Sequence, residues 1–240
     1  MLYQFDGTKE GFLTAFTKGF LDEDAVLSSK TTQLCIGQGQ VCVETDFLLA
    51  QKAENRLLSY DRHSMEDLTL LLRSGMDDNE QVAFCYLRLL AKHKAPVGKR
   101  LAEIEVFRAV EYMKKIRFEI HRFHGFIRFM ETASGALYAP FSPDNDICDL
   151  LAPYFKGRFP HFPFVIHDVK RGKATVYDGK NIFLAPLDEA EIIVSADEAE
   201  WQALWKKYYA AVNIPSRERI QQMKGYMPTR YWKFLPEKHL

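Results

Sequence analysis

Glu119-Ile-His-Arg-Phe-His-Gly-Phe-Ile-Arg-Phe129, Leu137-Tyr-Ala-Pro-Phe-Ser-Pro-Asp-Asn-Asp-Ile147 and Phe164-Val-Ile-His-Asp-Val-Lys-Arg171 are the segments on which the reading of this chain turns. The first ends a helical pattern at Gly125, a residue suited to the position just past a helix C-terminus. Phe126–Met130 and Ala136–Ala139 then read as strands paired across Thr132–Gly135. Ser142-Pro-Asp-Asn-Asp146 reads as a turn whose short polar side chains cap a helix over Ile147–Phe155. Phe164–His167, Ala174–Tyr177 and Asn181–Leu184 follow as strands joined by short Gly-containing turns. Short successive turns favour an antiparallel meander, because parallel neighbours need a long crossover.

Upstream, apolar residues recur through Leu101–Phe123 (Leu101, Ile104, Phe107, Val110, Met113, Ile116, Ile120, Phe123), which predicts a long, largely buried helix. Two polar stripes remain on it. Arg108, Glu111, Lys115, Glu119 and Arg122 alternate in sign and read as a face laced with ion pairs. Lys114, Arg117, His121 and His124 lie about 120° away and contain no acid, so an anion from elsewhere is expected there.

Further upstream, Leu2–Phe5 reads as a strand and Glu10–Phe20 as a helix capped by Thr8. Gln33–Ile36 and Val41–Glu44 around Gly37-Gln-Gly39 read as a hairpin. Helices are expected after Thr45-Asp46, over about residues 65–73 and over 79–93. Lys94–Lys99, with Pro96 and Gly98, is the best linker candidate. Downstream, residues 197–212 form an amphipathic pattern, and a basic-aromatic tail follows.

The expectation is an α+β protein: an antiparallel β-sheet meander packed by helices in the C-terminal half, and a helix-rich N-terminal half with a small β-hairpin. Its expected parts are residues 1–94 and 95–240, packed together as one unit.

Of the 240 residues, 47% are hydrophobic and 13% aromatic, which excludes a disordered chain. No apolar run approaches the length of a membrane span, and the N-terminus lacks a signal-peptide pattern. The expected location is cytoplasmic, with no membrane partner. Cys35, Cys42, Cys85 and Cys148 contain no C-x-x-C, which argues against a zinc ribbon or an iron–sulfur cluster. In a reducing compartment Cys35 and Cys42, which can face each other across the hairpin, are expected as thiols.

The net charge is zero, but residues 1–80 carry 14 acids and 7 bases, while residues 81–240 carry 18 acids and 25 bases. The excess is concentrated in Lys92–Arg128 and from Lys206 onward, threaded with aromatics. Such windows suit a phosphate backbone, and a solvated face is the plain alternative.

His121 and His124, at i,i+3, can share a metal with His161, His167 or Asp168. There is no H-E-x-x-H, so no metal is expected. Asp144 and Asp146 can serve acid–base chemistry or simply form a turn; His167-Asp168 closes a strand, where a working pair or an ion pair with Arg171 is equally plausible. No P-loop, G-x-S-x-G or dinucleotide fingerprint is present, and nothing points to a cofactor. In the tail, Arg217, Arg219 and Arg230 alternate with Tyr231 and Trp232, cations for phosphates beside rings for bases or for docking the tail.

Taken together, Phe5-Asp-Gly7, Glu44-Thr-Asp46, Gly125-Phe-Ile-Arg-Phe129, Leu137-Tyr-Ala139, Pro143-Asp144, Arg158-Phe159, Ile166-His-Asp168, Trp205, Tyr208-Tyr209, Met227-Pro228, Tyr231-Trp232 and Glu237 are familiar. The chain resembles, nearly end to end, a bacterial family with the domain of unknown function DUF4130, described in terms of DNA metabolism or DNA repair. That family is similar to the C-terminal part of uracil-DNA glycosylase-like fusion proteins and tends to pair with a radical-SAM protein. The resemblance implies a DNA-repair setting and names no mechanism. Two expectations follow. One is a DNA-binding accessory subunit, gripping DNA through Lys114, Arg117, Arg122, His124, Arg128, Arg158, Arg171, Arg217, Arg219, Arg230, Tyr231 and Trp232, and working with a radical-SAM or glycosylase-type partner. The other is a nucleic-acid-processing enzyme in which His121, Asp144, His167 and Asp168 converge.

Overall fold

Leu2 and Tyr3 lie side by side on β1 (Leu2–Gln4), leave it on opposite faces, and are both buried. Parallel partners flank this strand, β2 (Val26–Ser28) on one side and β3 (Gln40–Cys42) on the other. The computed structural model describes residues 1–30, 39–188, 192–214 and 219–238. By its contacts the chain divides into two compact units, Met1–Ile116 and Arg117–Leu240.

In the first unit, α1 (Lys9–Gly19) connects β1 to β2, the crossover that a parallel pair requires. Thr8 caps it by accepting from the Gly11 N–H at 2.9 Å. Phe12, Leu13 and Phe16 line its buried side. α2 (Phe47–Tyr60) is capped by Asp46, which accepts from Leu49 N–H at 3.0 Å. α3 (Ser64–Leu72) and α4 (Asn79–His93) follow, and the Asn79 side-chain amide donates to the Leu71 and Leu72 carbonyls that end α3. Of the expected hairpin only one strand falls among the described residues, and the sheet it joins is parallel. The hairpin's second strand, β3, runs parallel to β1, and its first, Gln33–Ile36, lies outside the described residues. β1, with its apolar side chains buried, is the centre of this small parallel sheet.

The long helix α5 (Ile104–Phe126) runs across the division at Ile116. It continues through Gly125, so that glycine is not the residue past its end.

The second unit holds a sheet of order β4-β5-β6-β7-β8: β4 (Met130–Glu131), β5 (Leu137–Phe141), β6 (Phe164–Asp168), β7 (Lys173–Tyr177) and β8 (Ile182–Pro186). The expected antiparallel meander is corrected to a mixed sheet, since β5 and β6 are parallel and the other pairs antiparallel. The reason is α6 (Cys148–Arg158), which lies between β5 and β6 and provides a crossover long enough to return the chain in the same direction. Its Leu151, Ala152 and Phe155 are buried. α7 (Glu198–Val212), α8 (Ile220–Tyr226) and two short 3-10 turns, Thr229–Phe234 and Pro236–Lys238, complete the unit. Cys42, Cys85 and Cys148 are free thiols, and Cys35 lies outside the described residues. Among the described residues no helix is long and apolar enough to cross a membrane.

Candidate nucleic-acid interface

Glu119 sits on α5 where its neighbours suggest a solvated face, yet it is 4% exposed. Its carboxylate accepts from the Asp144 N–H (2.7 Å), the Asn145 N–H (2.9 Å), the Asn145 side-chain amide (2.6 Å) and the Tyr231 hydroxyl (2.6 Å). The Ser-Pro-Asp-Asn-Asp turn therefore gives its backbone donors to Glu119, and no side chain from it caps α6. A buried carboxylate is stable only when donors surround it. Burial, then the bond to Glu119, pushes the Tyr231 phenol above its ordinary value.

Around this knot the acids are paired. Asp144 forms an ion pair with Arg230. Asp146 pairs with Lys173. Asp168, fully buried, accepts from Arg171 at 2.8 Å, and the same guanidinium donates to the Pro143 and Asp144 carbonyls at 3.2 and 2.7 Å. Arg171 thus ties the end of β6 to the turn. His167 and Asp168, adjacent on a strand, leave it on opposite faces. His167 is 2% exposed, with Nε2 donating to the Leu187 carbonyl at 2.8 Å and Nδ1 facing the Tyr138 hydroxyl at 2.6 Å. Of the four residues expected to act together, Asp144 and Asp168 are brought to one place through Arg171, His167 points into the other layer, and His121 is exposed on α5. Among the described residues no group of three or more His, Cys, Asp or Glu is placed to hold a metal ion.

The C-terminal end of α5 leads to a different constellation. A cavity of about 580 Å³ lies among α5, α6, β4 and α7, lined by His124, Arg128, Phe129, Glu131, Phe155, Arg158, Phe159, Glu198, Trp201, Gln202 and Trp205. The His124 ring stacks on Tyr154 at 4.0 Å, and its Nε2 is buried with no hydrogen-bond partner among the described residues. Burial, and then the neighbouring His121, hold its pKa below the ordinary histidine value. Arg128 donates to Glu237 at 2.7 Å and to the Gly125 carbonyl at 2.7 Å, with its guanidinium 5.3 Å from the Trp205 ring. Glu237 also accepts from Trp205 Nε1 at 3.0 Å. Burial opposes its ionisation, but the bonds from Arg128 and Trp205 outweigh it and hold the carboxyl below its ordinary value. Glu198 is buried as well, accepting from the Glu131 N–H and the Gln202 amide, both at 2.9 Å.

A second cavity, about 790 Å³, is lined by Tyr209, Arg219, Met223, Lys224, Tyr226, Trp232, Glu237 and Lys238, among others. Pro236 lines the first cavity, Glu237 and Lys238 the second, so the turn Pro236–Lys238 is their common wall.

The expected phosphate contacts separate into two groups. Arg122 donates to the Gly225 carbonyl and packs over Phe118, Lys114 pairs with Glu111, and Arg128, Arg171 and Arg230 are tied to carboxylates. Tyr231 is 2% exposed and Trp232 donates to the Met227 carbonyl. Arg117 is exposed on α5. Arg217 lies outside the described residues. Arg158 and Arg219, in contrast, form no ion pair or hydrogen bond among the described residues, and neither does Lys224, a further cation of the basic-aromatic tail. Tyr226, one of the aromatics of the basic-aromatic tail, and Trp201, which the sequence reading did not select as a contact, are 64% and 58% exposed at these cavities. Trp201 was read only as part of the amphipathic pattern over 197–212, and only its exposure distinguishes it.

A family model described as a domain of unknown function, DUF4130, matches residues 77–237. No curated protein and no solved structure matches the chain.

Proposed function

Starting from the fact that the chain belongs to the DUF4130 family, we propose that it is a DNA-binding accessory subunit whose C-terminal unit holds an unpaired stretch of DNA. One observation carries this: around two cavities with a common wall, cations with no ion pair or hydrogen bond among the described residues (Arg158, Arg219, Lys224) alternate with exposed ring faces (Trp201, Tyr226). Single strands are held by that combination, since cations track the phosphates and rings stack on bases of any sequence. Duplex DNA hides its base faces and would use only the charges.

The accessory role, with the chemistry supplied by a radical-SAM or glycosylase-type partner in DNA metabolism or repair, is supported by the commitments of the acids and histidines. His167, Asp168 and Asp144 spend their hydrogen-bonding capacity holding the turn and the sheet together. An enzyme built on them with His121 is the weaker reading.

The test is fluorescence anisotropy with labelled single- and double-stranded DNA from low to physiological salt. Single strands are expected to bind more tightly, with log K falling by about 0.7 per phosphate contacted for each unit of log salt. Arg158→Glu and Arg219→Glu are each expected to weaken binding severalfold and flatten that slope by roughly one contact. Absence of binding to either form at low salt would overturn the proposal.

A further inference from the structure

The first unit contains a hollow of about 660 Å³ formed by α1, α2 and the C-terminal end of α4. Its floor is apolar: Phe16 and Leu57 are buried there, and the Phe20 ring stands edge-on to Phe16 at 5.6 Å. Its rim is cationic. Lys52 and Arg56 lie one turn apart on α2, and Lys92 and Lys94 come from the end of α4, with no Asp or Glu in the lining. Among the described residues Lys52, Lys92 and Lys94 form no ion pair or hydrogen bond, and Arg56 donates only to the Tyr60 hydroxyl at 2.9 Å. Glu54, the acid between Lys52 and Arg56 in sequence, is held by Lys9 at 3.0 Å.

Part of this charge has a local explanation. Lys92 and Lys94 complement the negative end of the α4 dipole. Lys52 and Arg56 have none, because like charges at i,i+4 repel. Four cations around one apolar hollow, Lys52 and Arg56 among them with no counter-charge among the described residues, form a field that a single negative group would neutralise at short range, while the floor takes a hydrocarbon body. The volume falls in the range of small-ligand pockets.

We propose that this hollow binds an amphipathic anion: an aliphatic or aromatic body on Phe16, Phe20 and Leu57, with a carboxylate or phosphate head at Lys52 and Arg56. This site is independent of the DNA-facing cavities, so either reading can fail without the other.

Isothermal titration of the full chain with dodecanoate, dodecyl phosphate, dodecanol and dodecyltrimethylammonium, each below its micelle concentration, tests it. One anion per chain is expected to bind in the micromolar range, with the alcohol and the cation at least about tenfold weaker. Tighter binding of phosphate or of carboxylate identifies which head the site prefers, and both results support it. The double variant Lys52→Glu/Arg56→Glu changes two exposed side chains, so its melting curve should match wild type while anion affinity falls about tenfold or more. A second variant, Ala53→Trp, fills the hollow and should abolish binding. Dodecanol binding as tightly as dodecanoate, unchanged affinity in the charge-reversed variant, several anions per chain, or no binding would each overturn the proposal.

Discussion

Glu119 and His124 lie on one helix five residues apart, and their surroundings give them opposite roles. Glu119 is a structural anion. Replacing it with Gln keeps the shape but turns one acceptor into a donor that faces either the Asp144 N–H or the two Asn145 N–H donors. Glu119→Gln should cost about 2–4 kcal/mol in urea denaturation, most of it from donors left unsatisfied. His124 is a half-buried ring whose Nε2 has no hydrogen-bond partner among the described residues. In an NMR titration its pKa should lie below the free value of 6.5, and His121→Ala should raise it without restoring that value, because burial is the larger cause. Glu237 provides the acid-side counterpart. Its depressed folded pKa means that its contribution is complete above the ordinary glutamate value of 4.5 and is lost as pH falls through the lower folded value. Glu237→Gln should therefore lower stability at neutral pH and flatten the acid limb of the stability–pH curve. The sequence shows which residue types are present at these positions. It placed Glu119 in an exposed ion-pair ladder, because periodicity along α5 does not register a loop that folds back onto it.

At the scale of elements, strands and helices were largely legible, and their pairing was not. β6, β7 and β8 fall close to where alternation and turn residues put them, and Thr8 and Asp46 cap α1 and α2 as their chemistry predicts. The turn between β6 and β7 depends on Gly172, at φ 60°, a conformation that costs a side-chain-bearing residue about 1–2 kcal/mol. Gly172→Ala should lower stability by about that amount, and Gly172→Asn by less, because Asn tolerates this region. Thermal melts of the two variants check the order; equal losses would point to the crowding by Asp188 that any added Cβ meets. The parallel pairing of β5 with β6 was missed although α6 itself was read, because a turn signal sets local direction and leaves the side from which the chain returns undetermined. α7 shows the reverse case. Its helical pattern was clear, yet Trp201, Leu204 and Tyr208 stay exposed, which turns a core-like pattern into available surface.

For the whole molecule, the distribution of tryptophan gives a direct test. Trp201, Trp205 and Trp232 all belong to the second unit. Single-stranded DNA should quench tryptophan emission, while dodecanoate should leave it unchanged even at saturation; quenching by dodecanoate would place the amphiphile outside the N-terminal hollow. By itself the sequence determined the globular character, the α+β class, most element positions, the family resemblance and the concentration of basic and aromatic residues toward the C-terminus. These follow from composition and short-range periodicity, which every residue carries with it. Tertiary structure alone decided which cations have no ion-pair partner among the described residues. Arg128, Arg171 and Arg230 have the same chemistry as Arg158 and Arg219, but a carboxylate distant in sequence, or brought round by a turn, reaches each of the first three. Charge is a property of a residue. Its availability depends on what the fold places within about 4 Å of it, where pairing is strong enough to compete with water.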